Sequence, residues 1–489
     1  MSLAYPRVQP QAQLAFVEWV VTWLPPAPAR LLLLGNFAEA ACAALRARGY
    51  SVVSLDWRDP VHQALPPAGP HRELLQLRLG GLASAAQPLF NAVLALDLAA
   101  DIHPLALFDA LDRLLTTQGV ALLAGSGQPQ PLTWLDDYAA ALAARCGFSL
   151  ETAAADGDIL VGLGPLRLAR RLATPPRWQV GHVLPTDFDD IAALFQQVFG
   201  HTLSPALWHW KYGAGRGNAV MARKDGKAVA HYGGMYRDIV VDGRRERVAQ
   251  ICDVMVQSQE RGVLTRQGPF FLMGASWPEI YGPLGFGFPT HRAMKVAEKM
   301  GLYTQVGQMV EVRWSPAKTR FRLATRIRPL ERSRASDRAL VAPLWSAMAH
   351  DLRDSAVGVK DWEFLERRYF SHPHNRYEVL VVTARLTGKA LGVIVLRQLE
   401  GAACELLDVI APLSRLPLMI DQARRMSGRW ALPHLYCWIT TRHVPLFVAC
   451  GGEENALDLS IPASSWTRNP QSELFKDAWW LMSGDTDFR

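Results

Sequence analysis

The first third of the chain alternates short apolar runs with amphipathic stretches. Arg30–Gly35 (RLLLLG) is apolar and closes on a glycine, which predicts a buried strand; Ala38–Arg48 predicts a helix. Tyr50–Asp56 predicts a second strand with an acid at its end, and Asn91–Asp97 a third, followed by a helix from Pro104 to Leu115. Gln118–Ala124 supplies another strand, and Trp134–Arg145 a helix closed by Cys146-Gly147-Phe148. Strands and helices at this rhythm imply right-handed βαβ units in a parallel sheet. The segment Leu166–Pro176 is basic and ends in two prolines, which predicts a break there. Beyond it the pattern opens with an amphipathic helix, Asp187–Phe199. Strands follow near Ala219–Arg223, Ala228–Tyr236, Ile239–Val241 and Ala249–Val256, with hairpin signals at Lys224-Asp-Gly-Lys227 and Asp242-Gly-Arg244.

Residues 337–460 carry an internal echo of this pattern. Glu366-Arg-Arg-Tyr369 answers Trp210-Lys-Tyr212, and Leu386-Thr-Gly-Lys389 answers Lys224-Asp-Gly-Lys227. Glu405-Leu-Leu-Asp-Val-Ile410 answers Gln250-Ile-Cys-Asp-Val-Met255. The copies part after that strand. The first continues as Gln257-Ser-Gln-Glu-Arg-Gly-Val-Leu-Thr265, a glycine-containing strand-to-helix turn that can aim backbone N–H groups at an anion such as a pyrophosphate. The second continues as Ala411-Pro-Leu-Ser-Arg-Leu-Pro417, without glycine and with two residues that have no N–H.

Two resemblances follow from these residues. Residues 28–164 resemble a class I methyltransferase fold: a glycine after the first strand, Asp56 after the second, then the FNAVLALD and LLTTQGVALLAG strands. The loop Gly35-Asn-Phe-Ala-Glu39 has one glycine and Phe37 where that family has several glycines, and the acid of the first strand is replaced by leucine. The resemblance therefore implies the fold without S-adenosylmethionine chemistry; Asp56 and Asp97 read equally well as strand-end caps.

Residues 180–310 resemble the GNAT (GCN5-related) N-acyltransferase family, whose loop (Q/R)-x-x-G-x-(G/A) binds the pyrophosphate of acetyl-CoA. Gln259-Glu-Arg-Gly262-Val-Leu264 matches at its first and fourth positions and departs at the sixth. The mycobacterial aminoglycoside acetyltransferases depart similarly. They share a YGxxGxG stretch, here Tyr281-Gly-Pro-Leu-Gly285-Phe-Gly287, and have a double-GNAT arrangement. The resemblance implies acetyl-CoA as cosubstrate, held by Met255, Val256, Gln259, Arg261, Gly262, Val263, Leu264 and Thr265. It implies Tyr281 as the acid that protonates the departing thiolate. The subgroup uses its terminal carboxylate, which makes the acidic tail a candidate for binding or deprotonating the amine: Asp485, Asp487 or the chain end, with Asp487 put forward as catalytic. His231, Glu279 and Asp253 are possible bases, each with a structural alternative. Trp479 and Trp480 are expected to pack on the core, with Asp485 and Asp487 near the surface.

Composition narrows the classes. A chain of 489 residues exceeds one ordinary core, and 49% hydrophobic with 20% charged residues is globular. The expected division is 1–170 (methyltransferase-like), 171–325 (GNAT with the CoA loop) and 326–489 (a second GNAT-like domain without it). The expected fold class is α/β and α+β, a Rossmann-like parallel sheet followed by tandem GNAT-like mixed sheets. The six cysteines are scattered without a CxxC pair, so free thiols are expected and no metal site. The formal charge of +7 is spread as isolated arginines, which argues against nucleic acid and suits a polyanionic small molecule such as coenzyme A. No apolar run is long enough to span a bilayer and no signal peptide is visible, so a cytoplasmic protein is expected. The expected activity is transfer of an acetyl group from acetyl-CoA to an amine of a small molecule such as an amino sugar. The competing reading is a non-catalytic scaffold or carrier-binding protein that keeps both folds.

Overall fold

The computed structural model describes residues 17–35, 39–55, 90–98, 104–125, 137–153, 166–262, 268–282, 284–317, 323–399, 401–465 and 472–488. Two compact units divide the chain: Met1–Ile191 with Val220–Val229, and Ala192–Ala219 with Ala230–Arg489.

The first unit is built on a six-stranded sheet of β1 (Arg30–Leu34), β2 (Ser51–Leu55), β3 (Phe90–Leu98), β4 (Leu115–Gly125), β5 (Phe148–Thr152) and β6 (Arg167–Arg171), in the order β2-β1-β3-β4-β6-β5. The four strands β1 to β4 are parallel, and β6 runs antiparallel to both β4 and β5. Their apolar runs are continuous because strands inside a parallel sheet are covered on both faces: Leu31, Leu32, Leu33, Ala92, Val93 and Leu94 are fully buried. The segment expected to break the chain at 166–176 instead supplies β6. Its arginines serve as ladder residues whose heads reach outward, Arg171 to Asp112 and Arg167 to Thr152. Farther on, β7 (Gln179–His182) pairs antiparallel with β8 (Gly217–Lys224) over residues 220–223. Asp109 anchors this pair by accepting from the His182 N–H at 2.8 Å, while Arg113 bonds Asp187 at 3.1 Å.

In the second unit, β9 (Lys227–Val241) and β10 (Arg244–Val256) are long antiparallel neighbours. The sequence divides β9 into two pieces, 228–236 and 239–241; the structure keeps it whole, because Arg237 and Asp238 remain in register with Val248 and Arg247. The turns before β9 and β10 place Asp225 and Gly226, then Asp242 and Gly243, in the left-handed region, with φ of 51, 77, 49 and 71°. That is the requirement of a tight type I′ hairpin. The short β11 (Gly285–Gly287) pairs parallel with β10, and the sheet order is β11-β10-β9-β14-β20, where β14 is Ala356–Gly358 and β20 is Trp479–Trp480. A second seven-stranded sheet takes β12 (Tyr303–Trp314), β13 (Thr325–Pro329), β15 (Glu378–Ala384), β16 (Ala390–Leu399), β17 (Ala403–Ile410), β18 (Leu435–Thr440) and β19 (Glu453–Ser464). Their order is β13-β15-β16-β17-β18-β12-β19. Trp479, Trp480, Leu481 and Met482 are buried in two of the hydrophobic clusters of this unit, so residues 479–482 are a structural element and not a frayed tail.

Candidate active site

Two glycines in the middle of β9 set the site's dimensions. A Cβ on Gly233 would stand 2.1 Å from the Tyr212 hydroxyl, and one on Gly234 would stand 2.4 Å from the Trp277 ring. Only glycine lets the helix Pro205–Tyr212 and the helix Pro269–Tyr281 approach the strand this closely. The neighbouring strand is interrupted at the same level. β10 carries a bulge between Cys252 and Met255, and Asp253 within it has a left-handed φ of 50°. A non-glycine residue in this region costs energy, and its neighbours hold it there.

Those neighbours are three side chains. Lys211 Nζ donates to Asp253 Oδ1 at 2.7 Å, and the Tyr212 hydroxyl to Oδ2 at 2.7 Å. The Asp253 carbonyl oxygen lies 2.7 Å from His231 Nδ1, which must carry the proton. Burial pushes the Asp253 carboxyl up, but the charge and hydrogen bond of Lys211, with His231 and Tyr212, more than reverse this and hold it below the usual value. Burial pulls the His231 imidazole down, against the pull of Asp253, so the ring is neutral. With Nδ1 donating, Nε2 is left as an acceptor, and it is buried without a hydrogen-bond partner.

Lys211 has a second carboxylate, Asp487 Oδ2 at 2.8 Å. The acidic tail therefore does reach the centre of the unit, through a lysine. Asp485 departs from its expected surface position: it is 5% exposed and takes two hydrogen bonds from Lys360 Nζ, at 2.9 and 3.1 Å. A lysine delivered from elsewhere in the chain makes its burial affordable. Lys360 also bonds Asp408 on β17, which accepts in turn from the Tyr369 hydroxyl. Tyr212, Asp253, Lys211 and Asp487 thus have counterparts in Tyr369, Asp408, Lys360 and Asp485. The central carboxyls of the two clusters are shifted in opposite directions. Burial and the nearby Asp485 raise the Asp408 carboxyl despite Lys360.

β10 and β11 pair only over Ala249–Gly285, Gln250–Phe286 and Ile251–Gly287; beyond Ile251, β10 runs on to Val256 without that neighbour. Met255 is buried opposite His231 on β9, and Val256 is half-buried. The turn that follows is one 3-10 turn, Ser258–Glu260, with Gln259, Arg261 and Gly262 exposed. Arg261 Nε donates to the Val256 carbonyl at 2.8 Å, and a Cβ on Gly262 would meet no atom within 4 Å. Val263, Leu264 and Thr265 lie outside the described residues. The next helix among the described residues starts at Pro269. Its N-terminus at Gly268 has no side-chain cap and no acid in its first turn. The corresponding turn after β17 is filled from within: Asp351 Oδ2 accepts from the Leu413 N–H at 2.7 Å.

Tyr281 is the last residue of the helix Pro269–Tyr281, with its ring 5.3 Å from that of Trp277 and its hydroxyl 3.5 Å from the Ala219 carbonyl oxygen. The Glu279 side chain, Asp56 and Phe37 lie outside the described residues, as does the Asp97 side chain. Among the described residues no group of histidine, cysteine and acidic side chains is arranged to hold a metal, and no helix is long and apolar enough to cross a membrane.

Solved structures of acyltransferases are among those that resemble part of the chain. A probable N-acyltransferase of Enterococcus faecalis V583 has 11% identity, covers 58% of this chain and 72% of its own, and has a TM-score of 0.46. A GCN5-related N-acetyltransferase of Kribbella flavida has 16% identity, 58% and 70% coverage, and a TM-score of 0.42. The N-myristoyltransferase of Saccharomyces cerevisiae, solved with bound myristoyl-CoA, has 12% identity, 61% and 82% coverage, and a TM-score of 0.42. No curated protein matches the sequence. Residues 180–268, from β7 through β10 and the turn after it, match the family model of the Acetyltransferase (GNAT) domain.

Proposed function

We propose that the protein is a CoA-dependent N-acyltransferase that moves an acetyl group from acetyl-CoA to the amine of a small molecule. The observation that carries this reading is the opening between β10 and β11 beside a strained bulge, followed by an open glycine turn. Such a turn fits a pyrophosphate, because backbone N–H groups cost no side-chain entropy when they bind it. The residues present fit the cosubstrate: Met255 and Val256 along the strand, then Gln259, Arg261 and Gly262 in the turn, with Val263, Leu264 and Thr265 assigned by the sequence motif.

The reaction forms a C–N bond and breaks a C–S bond. The attacking amine loses a proton, and the thiolate gains one. His231 Nε2 is the acceptor we assign to the first proton, since Nδ1 is already committed to the Asp253 carbonyl. Tyr281 is assigned to the second. Asp487 acts on this site through Lys211, which orients Asp253 and with it the bulge.

Residues 337–460 read as a second GNAT-like half, supported by the matching Tyr–Asp–Lys–Asp cluster, and its filled turn supports the view that it holds no second CoA. For the first unit, the order β2-β1-β3-β4-β6-β5 with a reversed β6 supports a methyltransferase-like frame; the sequence of the loop Gly35–Glu39, with its single glycine, is the reason we assign it no such activity. Titrating the full chain with acetyl-CoA and following thiol release with amine acceptors tests the proposal; a folded protein that neither binds nor turns over acetyl-CoA would refute it.

A further inference from the structure

A cavity of about 330 Å³ lies within the second unit, at the small end of the range for small-molecule sites. Arg216, Arg237, Arg247 and Arg367 line it, and among the described residues none of the four has a carboxylate within ion-pair distance. The acids on the same wall are already engaged, apart from the exposed Glu363. Asp238 pairs with Arg245, Asp485 with Lys360, and Asp361 caps the Phe364 N–H.

The arginines are held by neutral groups. Arg216 donates to the Trp210 and His209 carbonyls, Arg247 stacks on Tyr236 at 4.3 Å, and Arg237 Nε donates to Gln250 at 2.9 Å. Arg237 Nη2 and the Arg367 Nε and Nη2 atoms are buried with no hydrogen bond, as is Nε2 of the fully buried Gln250. Burial, together with repulsion from Arg237, Arg216 and Arg247, pulls Arg367 down to about 10. Buried guanidinium donors without partners are costly, and a planar or tetrahedral oxyanion satisfies several of them at once.

Its place in the fold bears on which anion. Arg245 and Arg247 stand near the start of β10, whereas the open turn follows its end, roughly 30 Å away at ~3.3 Å per strand residue. The two therefore flank the bulge from opposite ends of the strand. Phe286, which lines the cavity, is also paired with Gln250 beside the β10–β11 opening. We infer that this cavity holds the anionic end of the acceptor, so that the substrate is an amine that also bears a carboxylate or phosphate, and not a polycationic amino sugar. This rests on the acyltransferase reading above, but the anion site itself does not.

The test uses the full chain. Thermal shifts are measured with O-phosphoethanolamine, β-alanine and inorganic phosphate, on wild type and on Arg367→Gln; acetyl-CoA is titrated separately. Turnover is then compared within matched pairs, O-phosphoethanolamine against ethanolamine and β-alanine against β-alaninamide, with spermidine as the polycation. The expected result is a shift with O-phosphoethanolamine or β-alanine that Arg367→Gln abolishes, unchanged acetyl-CoA affinity, and an anionic pair member preferred about tenfold in kcat/KM. The unliganded Arg367→Gln protein should melt no lower than wild type, because an unpaired buried charge is removed. A shift by phosphate but by neither amine means an anion site unconnected to the acceptor, and overturns the inference. So does the absence of any shift, or a preference for the neutral or polycationic amine. Anion binding without acetyl-CoA binding would instead overturn the acyltransferase reading and leave the anion site standing.

Discussion

Lys211 Nζ sits 2.8 Å from Asp487 Oδ2, a bond that closes 276 residues of chain onto the strained bulge of β10. Asp253 takes the same ammonium from the other side, so one buried cation joins the centre of the unit to the chain's end. Asp487→Asn keeps the shape but removes the charge. It should destabilise the protein by about 1–3 kcal/mol, the cost of a weakened buried partner, as a lowered denaturant midpoint with the m-value unchanged. Midpoints within error of wild type would mean that the tail is not a structural clamp.

The two clusters should respond to pH in opposite senses. The Asp253 carboxyl is held below its ordinary value of 3.8, so its stabilisation is present above pH 4 and lost as pH falls through the lowered value. The Asp408 carboxyl is raised, so its charging penalises the fold as pH rises from 3.8 to that higher value. Denaturant titrations at several pH values should show the deficit of Asp253→Asn shrinking below pH 4. The deficit of Asp408→Asn should shrink as pH rises from 4 towards neutrality. Parallel profiles for the two variants would contradict this difference.

His231→Asn retains a donor for the Asp253 carbonyl and removes Nε2. Turnover should fall by roughly 10² to 10⁴, the worth of a positioned base, with little change in melting temperature. Because the imidazole is held below 6.5 by burial, wild-type kcat/KM should stay level around neutrality and fall only in more acid solution. An active His231→Asn enzyme would remove the ring from the mechanism.

For Tyr281→Phe, the ring's packing on Trp277 survives while the hydroxyl is lost. As the acid for the thiolate it is worth roughly 10² to 10⁴ in turnover, with stability and acetyl-CoA affinity nearly unaltered. Wild-type turnover with a small loss of stability would instead assign the hydroxyl only to its bond with Ala219.

The frame was legible in the sequence because its signals are local. Asp-Gly at 225–226 and 242–243 dictates the hairpins, and the apolar runs at 31–34 and 92–95 dictate parallel strands. The aspartate in the apolar strand Gln250–Met255 is answered in sequence by one in Glu405–Ile410, and these two are the centres of the paired clusters. Their lysines were not legible, since Lys211 meets Asp487 and Lys360 meets Asp485 only after folding. For the same reason Asp485 read as a surface acid. The arginine cavity gave no signal, because its five arginines, Arg216, Arg237, Arg245, Arg247 and Arg367, come from three separate stretches and look in sequence like solvated charges.

Calorimetry of acetyl-CoA with the full chain, wild type beside Gly262→Val, tests the acyltransferase reading most directly. The added side chain would meet open space, so the variant should fold normally, but it would stand between the turn's backbone and the pyrophosphate. The account predicts one saturable site per chain, since Asp351 fills the second turn, and loss of that site in Gly262→Val. Two sites, unchanged binding in the variant, or no heat of binding to the folded wild type would contradict it.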